Sequence, residues 1–183
     1  MEPAWMDLLN SDWHDHLGSG RSEDRLDNPK WLKEFLTRWG GAANKIWSVN
    51  ARKDLGELRS LLGDIVDAVV AGRPVSEKDR ASLNSYLAGS PVVRQLEKDK
   101  DTYELRLLPV AQDLDFILCD IALSFAEVFA DGDPARIKTC ENEDCRWVFY
   151  DKSRNRSRRW CDSSGCGNLM KVRRFRERRK KKT

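Results

Sequence analysis

Four cysteines restrict the possible folds of this 183-residue chain more than any other feature. Cys140, Cys145, Cys161 and Cys166 follow the spacing C-x4-C-x15-C-x4-C, whereas Cys119 stands alone. Paired short spacings of this kind are typical of a structural zinc site, in which four thiolates surround one ion. The ion replaces the hydrophobic core that a segment of about 27 residues cannot build. The spacing therefore predicts one structural zinc ion per chain.

Two other interpretations of the cysteines are four ordinary thiols or a redox pair. The first residues contain no basic stretch followed by an apolar one, so we expect a cytoplasmic chain, in which a disulfide framework is unusual. A zinc ion closed by four cysteines has no open position for water. The predicted zinc site is therefore structural and not catalytic.

Charge divides the chain into two parts. From residue 140 onward there are 15 basic and 6 acidic residues, a net charge of +9, whereas residues 1–139 carry 18 basic and 24 acidic residues, a net charge of −6. No apolar run approaches the roughly 20 residues that span a bilayer, so a membrane is not an expected partner. The distribution predicts an acidic domain joined to a basic module.

The pattern before the cysteines predicts an α+β fold, with a mainly helical N-terminal domain that contains one small β-hairpin. Apolar residues at helical spacing predict helices over Pro29–Trp39, 54–71 and 113–130. A capping box at Ser76 predicts a shorter helix that ends at Leu87. Two strand-like runs, VVRQLE and TYELRLL, flank a polar turn and predict the hairpin.

A second domain is predicted to begin after the break Asp131-Gly132-Asp133-Pro134, which gives domains 1–133 and 134–183. Between its cysteines, residues 146–150 are expected to form a strand and residues 158–160 the return strand. Cys166 is expected to open a basic helix. The predicted second domain is thus a small four-cysteine zinc finger, made of a hairpin and a basic helix.

An apolar stripe is predicted along this basic helix. Leu169, Val172 and Phe175 recur at every third position. We expect the stripe to pack on Trp147 or Trp160 of the finger. The helix would then be anchored on one side and cationic on the other.

The basic helix is predicted to enter the major groove of DNA. There arginine bonds the edges of guanine, and neighbouring cations neutralise phosphate. The predicted DNA contacts come from the hairpin and the helix, and they are Arg154, Arg156, Arg158, Arg159, Asn168, Lys171, Arg173, Arg174, Arg176, Arg178 and Arg179. The lysines at 180–182 are expected to touch only phosphate. The alternative is an RNA-binding protein, in which aromatic rings of the finger stack on bases.

The cysteine-rich segment resembles the CGNR zinc finger, which occurs in bacterial proteins regarded as transcription regulators. The resemblance covers residues 136–180, including the cysteine spacing and the stretch WVFYDKSRNRSRRWC. The tetrad that names the family is here Cys166-Gly167-Asn168-Leu169, so leucine replaces the family's arginine. In that family the finger follows an ABATE domain, which residues 6–130 resemble in the order of their elements.

The resemblance implies a DNA-binding transcription regulator whose N-terminal domain senses a small ligand or dimerises. The partners expected are therefore DNA, a small-molecule effector and a second copy of the chain. The expected location is the cytoplasm, in association with the nucleoid.

Tryptophans are numerous before the finger, and some are candidates for a ligand pocket. These tryptophans are Trp5, Trp13, Trp31, Trp39 and Trp47. The predicted pocket combines two of them with nearby polar residues and consists of Asn10, Asp12, His14, Trp31 and Trp39. Ordinary core packing is the alternative for the rings.

An enzyme is not expected. The sequence contains no glycine-rich phosphate loop, no G-x-S-x-G and no H-E-x-x-H motif. An active site in the N-terminal domain is the weaker alternative to the regulator.

Overall fold

The structure is a computed structural model that describes residues 2–40 and 49–180. Trp47 and the terminal lysines Lys181 and Lys182, for which the sequence made predictions, lie outside these residues.

The described chain is an α+β structure, as predicted. Its helices are α1 (Ala4–Leu9), α2 (Pro29–Trp39), α3 (Val49–Val70), α4 (Glu77–Leu87), α5 (Leu114–Ala130) and α6 (Asn168–Lys180). Its strands are β1 (Asp12–His14), β2 (Ser22–Asp24), β3 (Val92–Asp99), β4 (Thr102–Pro109), β5 (Ile137–Thr139) and β6 (Val148–Tyr150). The strands pair in chain order as three antiparallel two-stranded hairpins.

Helix α3 lies at the centre of the N-terminal core. Its apolar face is buried and packs against α1, α4 and α5. Trp5 of α1 meets Phe125 of α5 edge to face, with ring centroids 5.2 Å apart. The buried residues of α3 are Ala51, Leu55, Leu58, Leu62, Ile65, Val66 and Ala68. These apolar side chains repeat at helical spacing, which is why the sequence identified the helix.

Side-chain caps fix the beginnings of three predicted helices. Asn28 accepts hydrogen bonds from the backbone of the first turn of α2, Ser76 does so for α4, and Asp113 does so for α5. Each side-chain oxygen satisfies an amide that has no partner inside the helix. The predicted helices are confirmed, and α3 begins at Val49, five residues before the predicted start.

A hairpin of β1 and β2 that was not predicted interrupts the helical domain. Asp24, at the end of β2, receives two hydrogen bonds from Arg59 of α3, at 2.7 and 2.6 Å. Arg59 also donates to Ser11 at 2.8 Å. This ion pair fixes the hairpin to the central helix and leaves the connecting loop 15–21 projecting from it.

The finger contains a different hairpin from the predicted one. Strand β6 pairs with β5, which precedes the first cysteine, and residues 158–160 form no strand. The reason is the buried carboxylate of Asp151, which accepts a hydrogen bond from the backbone of Arg158 at 2.9 Å. That amide is therefore not available to pair with a strand.

The finger packs directly on the helical domain. Ile137 of β5 is buried in the N-terminal core, against α3. The side chain of Asn10 accepts from the amide of Val148 at 2.8 Å and donates to its carbonyl at 2.9 Å. Asn10 thus takes the place of a strand residue beside β6, and it holds the finger to the end of α1.

Candidate metal centre and nucleic-acid interface

The four predicted cysteine ligands meet at one point. Their sulfur atoms all lie within 4.8 Å of one another. Cys161 Sγ lies 3.6 Å from Cys145 Sγ and 3.7 Å from Cys166 Sγ. Four ligands at about 2.3 Å from a tetrahedral ion are about 3.8 Å apart, so these sulfurs fit zinc. Cys119 lies apart on α5, where its thiol faces the carbonyl of Leu87 at 3.4 Å.

The β5–β6 hairpin positions the first cysteine pair. Cys140 follows β5 and donates its amide to the carbonyl of Trp147 at 2.9 Å. The amide of Cys145 donates to the carbonyl of Asn142 at 2.8 Å, which closes a tight turn. Arg146 then adopts a left-handed conformation, with φ of 55°, and brings the chain back to β6. The hairpin and turn together direct both thiols to one side.

The turn that leads into α6 positions the second pair. Asp162 accepts hydrogen bonds from the amides of Ser164 at 3.2 Å and Gly165 at 2.7 Å. This cap fixes the wide helical turn Ser163–Gly167, in which Cys166 is buried. Helix α6 continues from that turn at Asn168. A metal ligand is therefore part of the first turn that supports the basic helix.

The sulfur atoms lie close enough to share protons. Hydrogen bonds with Cys145 and Cys161 lower the pKa of Cys140 to about 2. The hydrogen bond with Cys140 raises the pKa of Cys145 to about 12, and the pKa of Cys161 is also raised by its bonds to Cys140 and Cys145. Such thiols ionise together only when a cation neutralises their charge. The cluster is therefore built to bind a cation.

Asn142 is a residue of this site that the sequence did not identify. Its side chain is fully buried, and its amide nitrogen lies 3.5 Å from Cys166 Sγ and 2.8 Å from the carbonyl of His16. It therefore links the sulfur cluster to the loop 15–21. An asparagine between two cysteines carries no distinctive pattern, so only the fold could assign this role.

Asp151 organises the long loop between the cysteine pairs. Burial alone raises the pKa of this carboxyl, but the ammonium of Lys138 and the amides of Ser153 and Arg158 hold it well below its ordinary value. Lys138 Nζ lies 2.7 Å from the carboxylate and also donates to the carbonyl of Arg158 at 3.0 Å. The buried ion pair thus determines the course of residues 151–158.

Several of the predicted DNA contacts form an exposed cationic surface. Arg154 projects from the loop of the finger, and Lys171, Arg176 and Arg178 project from α6. Within residues 2–40 and 49–180, none of these four side chains has a hydrogen-bond or ion-pair partner. Asn168, at the start of α6, is also exposed. These cations are therefore available to a polyanion.

Four other predicted contacts bind within the protein. The internal partners are Asp133 for Arg156, backbone carbonyls of residues 160 and 161 for Arg158, Glu141 for Arg159, and Asp144 for Arg173. Arg173 also reaches the carbonyl of Leu17 at 3.2 Å. Arg173 thus joins the basic helix to the loop 15–21.

The apolar stripe of α6 does not pack as predicted. Val172 is 46% exposed and Phe175 is 55% exposed. The guanidinium of Arg174 instead lies over the ring of Trp160, 5.6 Å from its centroid, while that of Arg179 lies 5.9 Å from the ring of Phe175. The prediction was wrong for Val172 and Phe175 because cation–π contact covers the tryptophan without the stripe.

The five predicted pocket residues make separate contacts. Asn10 binds β6, and Trp31 stacks on Phe35 with centroids 5.0 Å apart. Trp39 donates to Asp7 at 2.9 Å. Asp12 Oδ2 lies 3.2 Å from His14 Nε2 on the neighbouring hairpin.

A groove of about 330 Å³ lies where the helical domain meets the finger. Helices α1 and α5 form its apolar wall, which includes Trp5, Met6 and Val128, and the finger contributes Tyr150 and Lys152. The indole nitrogen of Trp5 is buried and has no hydrogen-bond partner among the described residues. The groove contains none of the five predicted pocket residues.

A helical domain joined to a closed four-cysteine module defines a two-part protein with a zinc-finger-like site. The model of the CGNR zinc finger matches residues 136–179. The ABATE model, described as "Putative stress-induced transcription regulator", matches residues 2–132. Because this second match covers more than half of the sequence, the chain belongs to the ABATE family, and its C-terminal module is a CGNR zinc finger. The predicted resemblance is confirmed.

The family description points to a transcription regulator and not to an enzyme. No curated protein matches the chain. Among the helices of residues 2–40 and 49–180, none combines the length and apolar character that crossing a bilayer requires.

Metal analysis of the purified full chain tests the sulfur cluster. We expect one zinc per chain, and we expect Cys145→Ser or Cys166→Ser to lower both the zinc content and the melting temperature, because a structural ion stabilises the fold that binds it. Cys119→Ser is the matched control and should retain the zinc. Equal zinc content in all three variants would contradict the assignment.

The buried Asp151 predicts a dependence of stability on pH. Asp151→Asn should lower the free energy of unfolding at pH 7 by about 2 kcal/mol or more, because it removes a charged partner of buried hydrogen bonds. A carboxyl with a lowered pKa stabilises the fold above its unfolded pKa of about 4, and that stabilisation is lost as pH falls through the folded pKa. The difference from wild type should therefore shrink below about pH 4. Denaturant unfolding measures it, with the exposed Asp101→Asn as control.

Proposed function

We propose that the chain is a DNA-binding transcription regulator that contacts DNA through α6 and the finger, and whose N-terminal domain senses a small molecule. The observation that carries this proposal is the cationic outer face of α6, a helix whose first turn holds a metal ligand. A helix that is anchored by a metal site enters a groove of DNA at a fixed angle. Recognition of a base sequence requires such a fixed orientation.

The contacts of α6 separate an inner face from an outer one. Arg173 and Arg174 lie toward the finger, against Asp144 and Trp160. Val172, Phe175 and Arg176 are spaced three and four residues apart, so they share the opposite face, and Lys171 and Arg178 lie at its edge. Lys171, Arg178 and the adjacent Arg176 supply charge for phosphate or guanine.

Exposed apolar residues among these cations favour a role in base contact. Val172 and Phe175 lie on the same outer face as Arg176 and are about half exposed. Apolar side chains in the major groove contact the methyl group of thymine. The mixture of apolar and basic residues therefore suits base edges better than it suits phosphate alone.

RNA is less well supported as the partner. Stacking on unpaired bases requires exposed rings. Phe149 is buried in the core of the finger, Trp147 and Trp160 are half-buried against the cysteines, and the guanidinium of Arg179 lies over the exposed ring of Phe175. DNA therefore remains the proposed partner.

The helical domain contacts α6 directly through the loop 15–21. The loop 15–21 meets the finger at three points: Asn142 donates to the carbonyl of His16, Arg173 donates to that of Leu17, and a Cβ at Gly18 would lie only 2.9 Å from the guanidinium of Arg173. A shift of this loop would therefore move the side chain that orients α6.

The groove between α1, α5 and the finger suits an effector better than the predicted pocket residues do. Its volume of about 330 Å³ lies in the range of small-molecule sites, and such sites are mostly apolar with a few polar groups. The ammonium of Lys152 and the carboxylates of Glu127 and Asp131 line the groove, so its charges favour a ligand with an apolar body and both an amino and a carboxyl group. Since both modules line the groove, such a ligand would bind them together.

Substitutions on α6 test DNA binding. Arg176→Ala should cost about 1–3 kcal/mol on the preferred site and little on random DNA, if this arginine bonds guanine. Lys171→Ala should weaken binding to all DNA alike and should reduce the slope of log affinity against log salt by about 0.9, the loss of one phosphate contact. Affinities of the zinc-bound full chain are measured for a site selected from random DNA.

Lys78→Ala, an exposed lysine on α4, is the matched control for these variants. If wild type retards no DNA, or if all three variants lose the same affinity, α6 is not the reader. Arg173→Ala should behave differently from both Arg176→Ala and Lys171→Ala, because it breaks the contact with the loop 15–21 as well as removing a positive charge.

A thermal-stability screen against metabolites that carry both an amino and a carboxyl group tests the groove. A ligand at a hundredfold excess over its dissociation constant stabilises the folded chain by about 2.7 kcal/mol, which raises the melting temperature. Lys152→Ala should reduce this rise, whereas Lys33→Ala on α2 should not. An equal rise in both variants would place the ligand elsewhere.

A further inference from the structure

The hairpin of β3 and β4 has one apolar and one polar face. Its register pairs Leu96 with Leu105 and Arg94 with Leu107, so alternate residues of both strands share a face. The polar face carries an ion pair in which Arg106 donates to Glu97 at 2.8 Å. The other face, here called the ribbon face, consists of Val92, Arg94, Leu96, Lys98, Tyr103, Leu105, Leu107 and Pro109.

The apolar side chains of the ribbon face are exposed. Val92, Leu96, Tyr103, Leu105 and Leu107 are each 53–68% exposed. Among the described residues, each strand of this hairpin packs mainly on the other strand. A two-stranded hairpin is only marginally stable in water unless its apolar face is covered. The ribbon face is therefore incomplete in a single chain.

We propose that two copies of this chain pair through their ribbon faces. Each copy supplies the cover that the other lacks, and packing face to face joins two hairpins into a four-stranded sandwich. A twofold axis through this sandwich brings the same patch of both copies together, as in most homodimers. The pairing itself does not require DNA binding.

Charge favours a second copy over other partners. The segment 92–109 contains four basic and four acidic residues, so its net charge is zero. By comparison, residues 1–139 carry a net charge of −6 and residues 140–183 a net charge of +9. The two charged residues on the ribbon face itself, Arg94 and Lys98, are both basic, but the acidic residues on the opposite face make the hairpin neutral as a whole. A neutral hairpin is not repelled by its own copy, whereas anionic membranes and nucleic acid attract segments with a net positive charge. The long side chains of Arg94 and Lys98 can lay their apolar stems along the contact while their charges stay in water.

The available area is sufficient for a dimer. An aromatic side chain buries roughly 150–250 Å², and an aliphatic one buries less. Five side chains that are more than half exposed, one of them a tyrosine, therefore offer on the order of 500 Å² per copy, or about 1,000 Å² in total, which is the minimum expected of a specific protein interface. The flanking backbone and the stems of the basic residues add to this area.

Light scattering of the zinc-bound full chain without DNA tests the pairing. We expect wild type to be a dimer and Leu96→Lys/Leu105→Lys to be a monomer, with a dissociation constant raised at least about 30-fold, the effect of losing one hot-spot side chain. The matched control is Gln95→Lys/Thr102→Lys, which adds the same charge on the polar face and should leave the dimer unchanged.

A second measurement on unmodified wild type guards against variants that unfold. Hydrogen exchange of amides in residues 92–109 should slow as protein concentration rises, while exchange in α3 should not change. A monomeric wild type overturns the proposal, as does a double-lysine variant that stays dimeric. Binding of monomeric wild type to phosphatidylglycerol vesicles would assign the ribbon face to a membrane instead.

DNA affinity is measured separately, so the two proposals can fail independently. Monomeric Leu96→Lys/Leu105→Lys should bind a single site as well as wild type does, because α6 is unchanged. It should lose the added affinity for two adjacent sites that a dimer gains. A dimer that binds no DNA would leave the pairing intact and overturn the proposed function.

Discussion

The convergence of four sulfur atoms is the constraint on which the basic module depends. One cysteine pair lies in the loop that joins β5 to β6, and Cys166 belongs to the turn that supports α6. Between the pairs, the buried ion pair of Asp151 and Lys138 determines the loop that carries Arg154 and Arg156. Removing the thiolate cluster would therefore release the helix and the loop together. The cysteine cluster and a buried carboxylate organise this module, whereas a hydrophobic core organises the larger domain.

The two modules are joined by side-chain hydrogen bonds to backbone groups and by a hydrophobic core to which both contribute. Ile137 of the finger lies among the apolar residues of the helical domain, and Asn10 hydrogen-bonds both backbone groups of Val148. Such contacts require one relative orientation, because a hydrogen bond weakens when its geometry changes. The acidic and basic parts seen in the sequence are therefore connected in one fixed orientation.

Local pattern was sufficient to predict most helices, the β3–β4 hairpin and the metal ligands, because each leaves a signal within about 25 residues of sequence. Contacts between distant segments left no such signal. The pairing of β6 with β5 depends on the amide that Asp151 takes from Arg158, and Asn142 reaches a loop 126 residues away. The sequence also identified cations without distinguishing Arg173, which binds Asp144, from exposed Lys171. That distinction depends on which acidic side chains the fold places beside each cation.

The position of Arg173 has a thermodynamic consequence. Its guanidinium binds Asp144 of the finger and the carbonyl of Leu17 in the loop 15–21. The same side chain therefore contributes to the order of the loop and to the order of the helix. Linkage between two binding events is reciprocal. If a ligand that orders the loop raises affinity at α6, then occupation of α6 raises affinity for that ligand by the same factor. The regulator and its target would thus each report on the other, with the loop as the common element.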